Sequence, residues 1–263
     1  MRRFFEINGT QLECARTYKY LGFLLSPSGT INDGLSDLRD RALKAFMKLK
    51  KDLGTSFDQD IMTTLTLIDT MIKPILLYNS DFWGCLKLPK NNPIENLHMM
   101  MCKQLLGVHK STTNCGVLLE LGRKPFAIYA IKQAVKNWER IRKNKANPLV
   151  IASYNDALEN NLLWLSRIKL TLEENGMLSF FQNSHADKPI FIYKKIFERL
   201  SDQFHQTSFA YINDENSKLR TYAIFKGEIG LENYLSVIKN THRRKHVSKF
   251  RLSNHRLVIN WTP

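Results

Sequence analysis

Leu35, Leu38, Ala42, Phe46, Leu49 and Leu53 recur at three- and four-residue steps. That spacing draws one stripe along an α-helix and cannot be one face of a strand, whose side chains alternate. It predicts a helix over 33–53, stopped by Gly54. The same period returns along most of the chain. Ile61, Leu65, Ile68, Ile72 and Ile75 mark a second helix, with Asp58 or Asp60 as its cap. Asn92, Pro93 and Gly107 frame a third as cap, first helical residue and stop. "STTNCGVLLELG" reads as a short helix closed by Gly122. Ile128, Ile131, Val135, Trp138 and Ile141 give a long amphipathic helix over 125–145. Further helices are expected near 149–160, 162–174, 189–205, 216–225, 230–239 and 242–251.

Only residues 4–25 read as strand. "FFEINGTQLE" sets Asn8-Gly9, a two-residue hairpin signal, between β-prone runs. "YKYLGFLL" continues the β-character, and "SPSG" turns the chain. The expected fold class is therefore mainly α: a short N-terminal β-hairpin, a helical bundle, then a second helical domain. The segments divide as 1–30, 31–90, 91–145 and 146–263. "NKANPL" at 144–149 is the best linker.

"MIKPILLYNSDFWG", Met71 to Gly84, breaks the helical rule inside apolar sequence. Pro74 lacks a backbone donor and crowds the carbonyl four residues back, so the helix must kink or restart. Tyr78, Phe82 and Trp83 then supply three large rings before Gly84. Beyond Asp81 the stretch offers no nucleophile and no acid–base pair. It reads as a structural corner, with Pro74, Tyr78, Trp83 and Gly84 fixing the angle between helices.

Charge is the strongest indication of a partner. Thirty-nine Lys and Arg face 24 Asp and Glu, a net charge of +15. The excess is uneven: residues 1–120 hold 15 basic and 12 acidic side chains, and residues 121–263 hold 24 and 12. A chain this basic suits a polyanion, with nucleic acid the foremost one. Three groups carry suitable spacing. Arg41, Lys44, Lys48 and Lys51 form a stripe on the first helix; Lys132, Lys136, Arg140 and Lys143 form another. The densest run is Arg243, Arg244, Lys245, Lys249, Arg251 and Arg256, with Phe250 and Trp261 nearby. Contacts of this kind hold phosphates and read little sequence. A helical stripe by itself is also what a solvated face looks like.

Catalytic patterns are missing: there is no phosphate-binding Gly-rich loop, no H-E-x-x-H and no G-x-S-x-G. Asp58 and Asp60 in "FDQD" open a helix, where carboxylates serve as caps at the positive end of the dipole. Cys14, Cys85, Cys102 and Cys115 form no C-x-x-C pair, so neither a zinc site nor a disulfide framework is expected. His242 and His246 share a helical face but flank Arg243, Arg244 and Lys245, which would repel a metal. No cofactor and no metal ion are expected. Ile61 to Leu77 is interrupted by Asp69, Lys73 and Pro74 and is too short to span a bilayer. "MRRFFEINGTQLECARTYKY" has no apolar core of a signal peptide. A nuclear or cytoplasmic chain with reduced thiols and no membrane partner is the expectation.

Taken in order, "YKYLGFLLSPSG", a basic helix, "LIDTMIKPILLYNSDFWG" and "IENLHMMMCKQLLGVHKSTTNCGVLLELGRKPF" resemble the region after the catalytic palm in reverse transcriptases of LINE-type, non-LTR retrotransposons. "KLRTYAIFKGEIGLENYLSVIKN" and "RKHVSKFRLSNHRLVIN" are similar to the stretch further downstream. The resemblance runs from about residue 4 to 260. It implies that "KYLG", with Lys19 and Gly22, is the palm-edge hairpin supporting a primer terminus. It implies that 31–90 is a thumb closing on template–primer, 91–145 a connection, and 146–263 a basic C-terminal helical domain. The palm, its metal-binding aspartates, the fingers and a Cys/His knuckle have no counterpart in this sequence. The implied protein is a non-catalytic fragment of an RNA-directed DNA polymerase that binds RNA or DNA by phosphate contacts. The missing palm and fingers would be a further partner. The alternatives are a host-recruited helical scaffold for protein partners, or a transposon remnant without function.

Overall fold

The computed structural model describes residues 5–8, 10–12, 15–89, 91–143, 147–182, 191–219 and 221–254. Gly9 of the expected turn, Cys14, residues 144–146 of the expected linker, residues 189–190, Arg256 and Trp261 lie outside them. The N-terminal β-structure is two separate antiparallel hairpins. Strand β1 (Phe5–Ile7) pairs with β2 (Thr10–Leu12), Ile7 opposite Thr10 across the Asn8 turn. Strand β3 (Tyr18–Tyr20) pairs with β4 (Phe23–Leu25), Tyr20 opposite Phe23. The β3–β4 turn has φ of 45° at Leu21 and 83° at Gly22, the left-handed pair whose twist matches that of the strands. Glycine takes that conformation freely and leucine does not. Two anchors hold it. The Tyr78 hydroxyl donates to the Leu21 carbonyl, and the Arg41 guanidinium donates to the Gly22 carbonyl at 2.9 Å.

Helix α1 (Asn32–Leu53) buries Leu35, Leu38, Ala42, Phe46 and Leu49, the stripe legible in the sequence. Next come α2 (Ser56–Gln59) and α3 (Ile61–Leu67). Asp60 caps α3, its carboxylate accepting from the Thr63 amide at 3.1 Å. The helix then widens into a π-turn over Ile68–Ile72, where the Lys73 amide bonds the Ile68 carbonyl, before α4 (Lys73–Leu76). Pro74 supplies the reason: its missing donor and its ring conflict with an ordinary α-turn at Thr70, and the wider turn accommodates both. Helix α5 (Ser80–Trp83) follows Asn79, which sits at a left-handed φ of 54°. Helix α6 (Pro93–Leu106) is capped by Asn92 and stopped by Gly107, as expected. Helices α7 (Asn114–Glu120) and α8 (Phe126–Lys143) follow.

The remaining helices are α9 (Pro148–Glu159), α10 (Leu163–Glu174), α11 (Leu178–Gln182), α12 (Ile192–Asn213), α13 (Tyr222–Phe225), α14 (Tyr234–Val237) and α15 (Thr241–Arg251). The architecture is mainly α, as the sequence implies. The helices expected over 216–225 and 230–239 shrink to the single turns α13 and α14. Between them Leu231 forms an antiparallel bridge with Leu121, and the Glu232 amide bonds the Glu120 carbonyl at 3.1 Å. Among the described residues, no helix is long and apolar enough to cross a membrane.

Two apolar clusters form the interior. The first gathers α1, α3, α4, α6 and α7, and takes in Ile212, Leu219, Tyr222, Leu235 and Leu252. It therefore draws side chains from both sides of the 144–149 stretch. The second gathers Trp138, Leu165, Ile168, Leu172, Ile192 and Ile196. Helix α8 belongs to both, with Phe126 and Ala130 in the first and Ala134, Val135 and Trp138 in the second. Trp138 is fully buried and stacks on Phe181 at 5.6 Å between centroids, with 4° between planes.

Met71 to Gly84 is the corner where α5 meets α8. A Cβ on Gly84 would lie 2.1 Å from the Ala130 carbonyl oxygen, so only glycine permits the approach. Trp83, 1% exposed, fills the corner and donates its indole N–H to the Tyr78 carbonyl at 2.8 Å. Next to it burial pushes the Cys85 thiol up to about 12, a hydrogen bond with Thr171 opposing. Trp83→Ala should lower the unfolding free energy by about 3–5 kcal/mol in denaturant melts. Gly84→Ala should destabilise by well over 1 kcal/mol, whereas Gly227→Ala, with open space around its Cβ, should stay within about 0.5 kcal/mol. Equal melting of the two alanine variants would remove the Gly84 approach from the account.

Candidate nucleic-acid interface

Because α5 ends against α8, the elbow from Lys73 to Asp81 stands off the later turns of α8 as a wall. The start of α12 forms a third side. Between them lies a groove of about 960 Å³. Lys136, Arg140 and Lys143 line it from α8, Lys73 from α4, and Phe191 and Tyr193 from the head of α12. Three of the four basic residues of the α8 stripe thus line one groove, while Val135 and Trp138 of its apolar stripe are buried in the second cluster. Lys132, one turn earlier, is half-buried and places its ammonium 4.4 Å from the Phe197 ring centroid. Lys136 lies 5.7 Å from that of Tyr193, and Lys73 3.5 Å from that of Tyr129.

Three carboxylates also border the groove, and two are already occupied. Asp69 accepts a bidentate contact from Arg123, at 3.0 and 2.5 Å. Glu139, 5% exposed, is paired with Lys143 at 2.5 Å and accepts from the Tyr193 amide at 3.5 Å. Asp81 is the third. Burial is the largest influence on Lys73 and pulls its ammonium below the ordinary lysine range; Asp69 opposes this, and Arg123 and Lys132 add to it.

The α1 stripe divides. Arg41 is tied to the Gly22 carbonyl and to Asp37 at 3.3 Å, and lies 5.6 Å from the Tyr78 ring, so it braces the hairpin. Lys44, Lys48 and Lys51 are exposed and run away from that brace along α1. Lys19 is exposed on β3, close to the tip that Tyr78 holds. A Cβ on Gly22 would make a tight 3.2 Å contact with the Tyr78 hydroxyl, at a φ of 83° that favours glycine.

The C-terminal cluster is where sequence and structure part most clearly. Arg244, assigned to nucleic acid from the sequence, is 1% exposed and donates to the carbonyls of Asp58 and Ile238. Lys245 pairs with the Asp58 carboxylate at 2.8 Å and packs its stem on Gly107. Arg251 is likewise engaged inside the protein. It donates to Glu120 at 2.7 Å and to Glu232 at 2.6 Å, and Glu120 is fully buried. Tyr222 and Tyr234 each donate to Glu120 at 2.7 Å, and Lys226 bonds Glu232 at 2.5 Å. Burial first, and the Glu120 charge next, push both phenols far up, so they remain donors. A guanidinium suits this position because it meets several acceptors at once. Among the described residues of the cluster, Arg243 is exposed and Lys245 and Lys249 are half-buried. His246 Nδ1 lies 2.8 Å from the His242 carbonyl oxygen, which places a proton on that nitrogen. Among the described residues no three His, Cys, Asp or Glu side chains gather as a metal site would require.

Sequence reasoning missed Lys73, Phe191, Tyr193 and Lys194. A signal existed in "FIYKKIF" at 191–197, where rings and lysines interleave at a helix start, but the groove exists only once α12 lies along α8. Compared with protein-family models, with curated proteins and with solved structures, the chain matches none. The corrected roles separate in a simple test. Arg251→Met should cost about 3–5 kcal/mol of stability by stranding Glu120, and leave retention of the folded protein on a phosphate column unchanged. Loss of retention without loss of stability would return Arg251 to the surface.

Proposed function

We propose that this chain is a non-catalytic portion of a LINE-type RNA-directed DNA polymerase that holds nucleic acid by its phosphates along α8. The supporting observation is that Lys136 and Arg140 of one helix face a single groove with Lys73 of the opposite wall, beside the Lys143–Glu139 ion pair. Two of the three bordering carboxylates are spent on Arg123 and Lys143. The non-catalytic part of the reading draws on Asp58 and Asp60. One pairs with Lys245 and the other caps α3, so both have structural employment. The family assignment rests on the ordered sequence segments alone.

Binding through phosphates is tolerant of sequence and weakens steeply with salt. Lys136→Gln and Arg140→Gln together should reduce the slope of log K against log salt by about 1.4 for single strands, at about 0.7 per contact. Lys44→Gln, Lys48→Gln and Lys51→Gln together provide the control on the other exposed stripe. Fluorescence anisotropy over a salt series reads both. A slope unchanged by the α8 substitutions would remove this helix from the interface.

A further inference from the structure

Two rings at the head of α12 are placed where phosphate chemistry alone gives them no role. Phe191 is 47% exposed although it stands one residue before the helix begins. Tyr193 is half-buried, and the two rings meet edge to face at 5.9 Å and 77°. That arrangement presents ring faces in two directions along the groove wall. Each ring has a cation beside it: Lys194 lies 4.4 Å from the Phe191 centroid and Lys136 5.7 Å from that of Tyr193. An exposed ring flanked by flexible ammonium groups offers a nucleotide both of its needs, a face for the base and a charge for the phosphate.

We infer that the groove between the α4–α5 elbow, α8 and α12 takes unpaired nucleic acid, with bases stacked on Phe191 and Tyr193 and phosphates on Lys136 and Arg140 in the groove and on Lys194 beside Phe191. The inference rests on the phosphate-binding reading of α8 and adds to it the strandedness of the ligand. A duplex keeps its base faces inside its own stack and cannot use the rings; an acidic polypeptide has charge but no bases to place on them. The groove, of about 960 Å³, has room for a few planar groups along its open side. On binding, the lysines exchange their contacts with ring faces for ion pairs with phosphates, and the bases take the vacated faces. Sequence preference should be weak, because every base has a face to stack.

The full chain is titrated by fluorescence anisotropy with four probes: an oligothymidylate of about 12 nucleotides, its abasic counterpart, a duplex of equal length, and a polyglutamate of equal charge. The single strand should bind at least about tenfold more tightly than the other three, since each stacked base contributes roughly 5- to 150-fold. The doubly substituted Phe191→Leu, Tyr193→Leu protein keeps apolar bulk in place of the rings. It should lose that preference while holding the abasic strand as the parent does, and Phe191→Trp should restore or exceed it. Circular dichroism confirms that each variant is folded. Equal affinity for the four probes, or a leucine protein that binds the single strand like the parent, overturns the stacking and leaves the phosphate reading standing. Failure to bind any probe at low salt overturns both.

Discussion

The close approach of Gly84 to the Ala130 carbonyl governs how the two halves of this molecule meet. A single methyl group at Gly84 would fall 2.1 Å from that oxygen. With only hydrogen there, α5 lies against the α8 backbone, and Trp83 seals the junction with its N–H satisfied by Tyr78. The elbow formed by Pro74 and the π-turn then has one direction left to run. It becomes a groove wall, and it carries the Tyr78 hydroxyl to the tip of the β3–β4 hairpin. A backbone contact thus sets the width of a surface whose own residues never touch it.

The net charge of +15 overstates what the surface offers a polyanion. Arg41, Arg123, Arg244, Lys226, Lys245 and Arg251 are internal braces whose acceptors are carboxylates or backbone carbonyls. Glu120 shows why such braces are basic. It is fully buried, and its charge is sustained by two phenols and a guanidinium that come from residues more than a hundred positions away. The same ions that make the C-terminal third look like a nucleic-acid arm in one dimension fasten it to the first apolar cluster in three. Lys136 and Arg140 on α8, like Lys44, Lys48 and Lys51 on α1, keep exposed positions from which to meet phosphate.

Much of the helical plan was legible because periodicity is a local property. Leu35 to Leu49, the Asn92-Pro93 start, the Gly107 and Gly122 stops and the disturbance at Pro74 all follow from residues within one or two turns. The β3–β4 turn was less legible, since leucine at a left-handed position is tolerated only because Tyr78 and Arg41, distant in sequence, hold its carbonyls. The helix expected over 230–239 is shorter because the bridge between Leu231 and Leu121 competes with helix for the same backbone groups. The α8 stripe was visible as spacing, but its partners Lys73, Phe191 and Tyr193 become partners only through packing. No local pattern distinguishes Arg251, bound to two carboxylates, from Arg243 one face away in water.

The most direct measurement of the central claim is lysine footprinting by acetylation and mass spectrometry, with and without a saturating single-stranded oligonucleotide. The account expects Lys136 and Lys194 to be protected by the ligand while Lys44, Lys48 and Lys51 acetylate at unchanged rates. Protection of the α1 lysines with the groove lysines still reactive would contradict it.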